Sequence, residues 1–540
     1  MIRIYNTLTK TKEEFKPVQE GKAGIYLCGP TVYKPSHIGH MVGPVIFDAV
    51  KRYLAYNGYD VHLVINITDV DDKIIGEANA LAITAAAVAD EMTADYWANL
   101  EAMSVKESVY AFPKVSDYIP HIIDFVQKLI DKEFAYESEG DVYYDVGKFP
   151  DYGKLSHRSI EQMSGEGGST AAKKHTPFDF ALWKSAKPNE PFWESPWGKG
   201  RPGWHIECSV MSREILGETF DIHGGGLDLV FPHHENEVAQ SEARHGKPMC
   251  NFWMHNGLMQ ASSETGKLGG RNTKAVSEDS AAVSEGASAP VVSEDSAGAA
   301  PSLTSSQEQE TNKISKSKGA SAFRDMLKQF TPETIRFFLL STHYRRPIDF
   351  STERIEEVGK GLETFYRFFK RFEKITGQNF YQLDAPALRK ELTPSSIGVD
   401  LRNKFLEFMD DDFNTGGAVG VLFDFLRTLN KFIDDTKLED GSKRGSSDED
   451  ALIKGATLLR ELALTLGLFI TQQASRQCSG TELTGKNGEL IDKLLTLLIE
   501  LRQTARKNKD FSTGDKIRND LQSFGVVLTD RPDGTEWTIG

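Results

Sequence analysis

The chain is 540 residues long, with a formal net charge of -15 at pH 7, 39% hydrophobic residues and 26% charged ones. Such a length is too great for one core, so roughly two to four domains are expected, and the acidic balance excludes a uniformly basic nucleic-acid surface while leaving room for local patches. No apolar run approaches the ~18 residues of a membrane helix, the start Met1-Ile2-Arg3-Ile4-Tyr5-Asn6 lacks a secretory pattern, and Cys28, Cys208, Cys250 and Cys478 are too scattered for a disulfide framework, so a cytoplasmic address is expected.

Gly24-Ile25-Tyr26-Leu27-Cys28 is a short apolar strand ended by Gly29-Pro30. From His40, the spacing of Val42, Ile46, Val50, Tyr53 and Leu54 predicts a helix that stops at Asn57-Gly58, and Val61 to Ile67 is a buried-type strand. This βαβ unit predicts a parallel sheet of the α/β class, whose ligands bind beyond the carboxyl ends of its strands, where Cys28, the His37–His40 loop and Thr68 fall. Residues 115 to 200 have mixed character, with a helix near Ile119–Lys132 and a strand near Asp141–Asp145. The sheet pattern resumes at Phe220–His223 and Phe252–His255, with a helix from His233 to Arg244 opened by Pro232. Residues 261 to about 311 are rich in Ala, Ser, Gly and Glu, contain no aromatic residue, repeat Val-Ser-Glu-Asp-Ser-Ala and are expected to be disordered. From about 350 the chain becomes helical, suggesting a bundle, and a hairpin around Pro532-Asp533-Gly534 closes it.

Several residue sets could carry chemistry. His37-Ile38-Gly39-His40, between strand and helix, would sit at a helix N-terminus that already favours phosphate; chance or capping histidines are the plainer explanation. Lys313-Ile314-Ser315-Lys316-Ser317 gains interest only as its partner, since lysines that meet phosphate in the transition state raise rate. His233 and Glu237 share one helix face, and Cys28 lies at the same sheet edge, a donor set with Cys208 that would suit zinc. Spacing alone favours ordinary buried thiols and a hydrogen-bonded histidine, because no Cys-x-x-Cys pair exists. His223-Gly224-Gly225-Gly226 could be an α/β-hydrolase oxyanion loop, but no Gly-x-Ser-x-Gly elbow accompanies it; the glycines more plausibly let backbone approach a nucleotide. Two basic patches, Arg502 to Lys509 with Lys516 and Arg518, and Arg367, Lys370, Arg371 and Lys374 interleaved with Phe368, Phe369 and Phe372, are each more simply solvated helix faces.

Together these blocks resemble cysteinyl-tRNA synthetase, of the class I aminoacyl-tRNA synthetases. They are Leu27-Cys28-Gly29-Pro30-Thr31-Val32-Tyr33, His37–His40, Asn66-Ile67-Thr68-Asp69-Val70-Asp71-Asp72-Lys73, Gly203-Trp204-His205-Ile206-Glu207-Cys208, Phe220–Gly226, Phe231-Pro232-His233-His234-Glu235-Asn236-Glu237 and Lys313–Ser317. The resemblance covers nearly the whole chain except the insert. It implies a Rossmann-like parallel-sheet catalytic domain in two halves (1–114 and 201–260) around a connective insertion (115–200). There follow the insert (261–311), a lysine-motif junction (312–400), a helical anticodon-binding domain (401–510) and a small tRNA-binding extension (511–540). It further implies one Zn²⁺ held by Cys28, Cys208, His233 and Glu237, which selects the substrate thiol, and Mg²⁺ with ATP. His37, His40, Lys313 and Lys316 would be catalytic; Thr31, His37, Gly39, His40, Asp228 and Lys316 would contact ATP; Gly29, Thr68, Trp204 and His223 would surround cysteine.

The implied reaction joins L-cysteine to tRNA(Cys) through a cysteinyl-adenylate, in a monomer away from membranes. Two alternatives stand beside it: a cysteine ligase of the mycothiol type acting on an amino sugar, and a noncatalytic RNA-binding paralogue. The first lacks a long anticodon-binding tail, whereas Met409–Thr415 and Arg502–Phe511 look like synthetase tail blocks; the second should have broken motifs, and these are intact. Ile314 replaces the usual methionine of the lysine motif. Because long surface insertions add little loop entropy, deleting 265 to 308 is expected to leave charging kinetics within a few-fold, measured by aminoacylation.

Overall fold

The computed structural model describes the chain except residues 160–172, 189, 262–321, 392–394, 396, 441–444, 473–485, 509, 525, 532–533 and 540. The expected disordered insert and both motif lysines, Lys313 and Lys316, lie outside the described residues.

The chain opens with the antiparallel pair β1 (Arg3–Asn6) and β2 (Thr11–Glu14). Then come β3 (Lys22–Leu27), α1 (Gly39–Tyr56) and β4 (Asp60–Ile65), the expected βαβ unit. Helices α2 (Asp72–Leu81), α3 (Ala85–Ala102) and α4 (Ile119–Asp131) follow. Strands β5 (Ala135–Ser138), β6 (Asp141–Tyr144), β7 (Phe180–Ser185) and β8 (Gly200–Pro202) form a separate antiparallel sheet. The chain returns through α5 (Trp204–Leu216), β9 (Phe220–Gly226), α6 (Glu235–His245) and β10 (Cys250–Asn256). Phe231 is extended, with φ -137° and ψ 133°, and helical backbone begins after it, so the expected helix opened by Pro232 passes through His233 and His234 into α6 and stops at Gly246.

The main sheet is parallel, in the order β10-β9-β3-β4. The chain leaves β3 to one side for β4 and later returns to its other side for β9. The crevice beyond β3 and β9 is therefore the topological switch point, where such sheets bind ligands. Successive residues of β3 serve opposite faces. Ile25 and Leu27 join a core with α1, while Tyr26 joins a second core with α4, α5 and the antiparallel sheet. Cover on both faces explains why successive residues Ile25, Tyr26 and Leu27 are all apolar and buried.

After β11 (Met259–Ala261), a short helical turn at Phe323–Met326 precedes α7 (Pro332–Leu340), β12 (Ile348–Phe350) and α8 (Thr352–Thr376). The bundle adds α9 (Val399–Asp410), α10 (Thr415–Thr436) and α11 (Ser446–Thr465). Its core is continuous with that of α1: Phe47, Ile335, Phe365, Phe425 and Leu459 belong to one cluster. Finally α12 (Lys486–Lys507), α13 (Phe511–Ser523) and the antiparallel hairpin β13 (Val526–Arg531) and β14 (Gly534–Ile539) build a small unit around Leu495, Ile499, Leu521 and Leu528. The helix before residue 511 thus packs with the extension after it.

Buried polar groups fasten the bundle to α1. Arg336 of α7 donates from Nε to the Leu466 carbonyl (2.9 Å), from Nη1 to the Met103 carbonyl (3.0 Å), and from Nη2 to Asp48 of α1. Burial opposes ionisation of Asp48, but Arg336 and Arg52 overcome it and hold its pKa below the ordinary value. A depressed carboxyl contributes stability above its unfolded pKa, about 4, and loses it as pH falls through the folded value. Arg336→Met, which removes the buried partner and leaves Asp48 to Arg52 and Ser108 alone, is expected to destabilise the protein by about 2–4 kcal/mol, measured by urea unfolding near neutral pH.

The tail blocks have structural duties. Asp412 accepts from the Tyr5 N–H (2.8 Å), the Tyr344 hydroxyl (2.8 Å) and Arg345 Nε (2.7 Å), tying the N-terminal strand and the post-α7 loop to the bundle. Phe368, Phe369 and Phe372 are core residues rather than stacking platforms, and Arg371 Nε donates to Glu439 (3.0 Å), so that patch is a helix face. Arg502 is 1% exposed, which removes it from the candidate RNA contacts and leaves Arg506, Lys507, Lys516 and Arg518 exposed.

Candidate functional site

Cys28 follows β3, and its N–H donates to the Gly224 carbonyl of β9 (3.0 Å), which pins it over the switch point. Next to it the Gly29 N–H donates to Asn66 Oδ1 (2.8 Å), and a Cβ on Gly29 would stand 1.7 Å from the Asn66 carbonyl oxygen. Only glycine permits that approach. Thr31 and Thr68 continue the pairing as a parallel bridge.

The His37–His40 segment enters α1 with its two rings 3.9 Å apart. The His37 N–H donates to His40 Nδ1 (3.0 Å), and the Gly39 N–H donates to His37 Nδ1 (3.1 Å). A backbone N–H can only donate, so each Nδ1 accepts and a neutral ring carries its proton on Nε2. Both histidines are therefore set as Nε2–H donors at a helix N-terminus, a geometry suited to phosphate oxygens. Gly39 must be small, since a Cβ there would lie 2.8 Å from His37 Cε1.

The proposed metal donors, remote in sequence, do converge. Cys28 Sγ is 3.5 Å from Cys208 Sγ, 3.7 Å from His233 Nε2 and 3.7 Å from Glu237 Oε1. Cys208 Sγ is 3.7 Å from His233 Nε2, which is 2.9 Å from Glu237 Oε1. Two sulfurs about 2.3 Å from a tetrahedral centre stand about 3.8 Å apart, so the separations of 3.5 and 3.7 Å made by Cys28 are near the edges of a zinc tetrahedron, whereas the 2.9 Å between His233 and Glu237 is that of a hydrogen bond. The donors whose ligand atoms all lie within 4.8 Å of one another are Cys28, His233, His234 and Glu237, a group that has His234 in place of the expected Cys208.

Charges inside the cluster are strongly coupled. Burial and the neighbouring Cys208 sulfur push the Cys28 thiol well up, while Cys208, despite burial, is held at about 6 by the hydrogen bond from Cys28 and by His233. Burial also works against charging His233, yet Glu237 and Cys208 raise its pKa to about 10. Glu237, opposed by burial, is driven well below the usual range by His223 and His233. Two thiols, an imidazole and a carboxylate are thus crowded in one buried site, and a bound dication would favour their deprotonated, ligating forms.

A ring of histidines stands behind these donors. His205 Nδ1 is 3.0 Å from His233 Nδ1, His223 Nε2 is 2.6 Å from Glu237 Oε2, and His234 Nε2 is 3.3 Å from Cys28 Sγ. His234 Nδ1 continues to His255 Nε2 (2.8 Å), and His255 Nδ1 to Thr7 Oγ1 (2.7 Å). Burial holds His205, His234 and His255 below the ordinary imidazole pKa, His255 at about 3, so they are neutral rings. Such partners fix ligand tautomers and orientation. The sequence reading assigned no role to His205, His234 or His255; the only signal was their position within or beside the quoted blocks.

Other expected residues fall as follows. Trp204 stacks on His233 with ring centroids 4.1 Å apart and is 39% exposed, so its face borders both cluster and solvent. Thr68 is 1% exposed and donates to Glu207 Oε2 (2.9 Å). His223 is wholly buried behind Glu237, not at the crevice surface. Asp228 is exposed in the turn after β9. The glycines after His223 make room for protein rather than nucleotide: a Cβ on Gly224 would lie 2.2 Å from the Phe47 ring, and one on Gly225 2.7 Å from His234 Cε1.

The model of class I (C) tRNA synthetase catalytic domains matches residues 14–273 and 306–360, and the DALR-domain model matches 404–470. The cysteine–tRNA ligase of Syntrophotalea carbinolica is 42% identical over 545 residues, covering 99% of each chain. That of Thermotoga maritima is 38% identical and covers 100% of each. The chain belongs to the cysteine–tRNA ligase family.

Its fold is that of class I synthetases: methionyl-tRNA synthetase of Mycobacterium tuberculosis, bound by methionyl-adenylate, superposes with a TM-score of 0.56 at 12% identity, covering 85% of this chain and 94% of that one. The stretch that the catalytic model of the cysteine–tRNA ligase family leaves unmatched, 274–305, falls inside the expected insert. Among the described residues, no helix is long and apolar enough to cross a membrane.

Proposed function

We propose that the protein attaches L-cysteine to tRNA(Cys) at the expense of ATP, releasing AMP and pyrophosphate. The observation that carries this reading is the meeting of Cys28, Cys208, His233 and Glu237 beyond β3 and β9, beside the His37–His40 helix start. These four would hold Zn²⁺, which supplies, when bound, a soft electrophilic partner for the substrate thiol that the hydroxyl of serine matches poorly. Trp204 walls the pocket.

In the first step a carboxylate oxygen of cysteine bonds to the α-phosphorus of Mg-ATP, and the bond from that phosphorus to the bridging oxygen breaks with departure of pyrophosphate. His37 and His40 donate Nε2–H to the phosphate oxygens; Lys313 and Lys316 offset the charge on the leaving pyrophosphate; Thr31, Gly39 and Asp228 border the nucleotide. Gly29 shapes the cysteine pocket from the strand side, while Thr68 and His223 hold its wall through Glu207 and Glu237. In the second step a terminal ribose hydroxyl of tRNA bonds to the carbonyl carbon, losing its proton, and the carbon–oxygen bond to AMP breaks. Positioning and charge stabilisation supply most of the rate.

The full-length match to cysteine–tRNA ligases disfavours the amino-sugar ligase and the noncatalytic paralogue. A reducing compartment such as the cytoplasm is the natural setting for a thiol-dependent site. The test is pyrophosphate exchange with cysteine and with serine, then charging after tRNA is added: serine activated as readily as cysteine would overturn the reading.

The tail is assigned to tRNA. Cutting at residue 400 would split the core shared by α1 and the bundle, so the informative truncation removes 473–540, whose described side chains have a cluster of their own. That truncation is expected to keep cysteine-dependent exchange within a few-fold while lowering tRNA charging by more than about tenfold, measured by both assays on one preparation.

A further inference from the structure

Helix α3 belongs to none of the motif blocks, yet it places a carboxylate against the loop that leads into α1. The Ser36 N–H donates to Asp95 Oδ2 (2.8 Å), and the same oxygen accepts from Asn99 Nδ2 (3.1 Å), which holds the carboxylate in place. The Ser36 carbonyl accepts from the Phe323 N–H (2.7 Å), and Phe323 is itself wholly buried. Ser36 is 5% exposed, so water is a poor substitute for either partner.

The consequence follows from peptide planarity. The Ser36 carbonyl and the His37 N–H are opposite ends of one rigid amide plane. One end is held by Phe323, and the other donates to His40 Nδ1 (3.0 Å). The preceding plane ends in the Ser36 N–H, held by Asp95. Two successive amide planes are thus clamped, and the second aims the ring of His40. From this geometry we infer that Asp95 is a positioning residue for activation of the amino acid: through Ser36 it fixes the direction in which His40 presents Nε2–H. The inference rests on the role proposed above for His40.

Asp95 works here as a hydrogen-bond acceptor, not as a charge. An asparagine keeps an oxygen where Oδ2 stands and retains both bonds; alanine removes them. Asp95→Ala is therefore expected to lower kcat for cysteine-dependent ATP–pyrophosphate exchange about tenfold, with KM for cysteine and metal content unchanged, whereas Asp95→Asn stays within about threefold of the parent. Hydrogen–deuterium exchange of peptides spanning residues 34–41 should quicken in Asp95→Ala alone. Should Asp95→Ala fold poorly, Asn99→Ala, which frees the carboxylate without removing it, is expected to give a smaller loss of the same kind.

An Asp95→Ala enzyme with parental kcat, or an Asp95→Asn enzyme as impaired as the alanine variant, overturns the inference. His40→Asn distinguishes the two levels: if it exchanges normally, the proposed role of His40 fails and the inference with it; if it is crippled while Asp95→Ala is not, only the inference fails.

Discussion

Cys208→Ala yields purified protein that has lost its metal, against about one equivalent in the parent, and lowers cysteine-dependent pyrophosphate exchange on the order of 10³-fold. The expectation comes from the cluster's geometry: Cys208 Sγ lies 3.5 Å from Cys28 and 3.7 Å from His233, so its removal opens one face of the donor set. His234 stands close to Cys28 and could offer another nitrogen, but its Nδ1 is engaged with His255 2.8 Å away, and moving it would break that link. Metal analysis and exchange are read on the same sample. A variant that keeps both a full equivalent of metal and parental exchange refutes the placement of Cys208 among the ligands.

His40→Asn lowers exchange on the order of 10²-fold without a change in thermal midpoint. The asparagine oxygen can take the place of Nδ1 and still accept from the His37 N–H, so the turn into α1 survives. What disappears is the Nε2–H donor. His40→Gln makes the converse exchange, retaining a donor near the Nε2 position while giving up the acceptor, and is expected to retain more activity than His40→Asn. Equal, near-parental rates in both variants would remove His40 from the reaction.

The split between these residues and the rest explains what was legible beforehand. The β3–α1–β4 unit follows from local signals, a run of apolar residues, a Gly-Pro break and helical spacing, each acting within a few residues, and its edges lie within about two residues of expectation. The helix opened by Pro232 is equally local: Phe231 before it is extended and the helical residues after it lead into α6. The glycines of β9 were given to the nucleotide because nothing in sequence reveals that Phe47 and His234 occupy the space beside them. The basic and aromatic stripe of α8 is the helix face that was expected, with Arg367, Lys370 and Lys374 outward and Phe368, Phe369 and Phe372 in the bundle core.

Sequence by itself determined the α/β class, the βαβ unit, the identity of the motif residues and, through their resemblance, the family. Tertiary structure alone decided that Cys28, Cys208, His233 and Glu237 meet, that neutral histidines stand behind them, and that Asp95 and Phe323 hold Ser36. The reason is physical: backbone propensity and hydrophobic period act over a few residues, but which strand lies beside β3 is settled by burying both faces of the sheet, and only that order carries groups two hundred residues apart to within hydrogen-bonding reach.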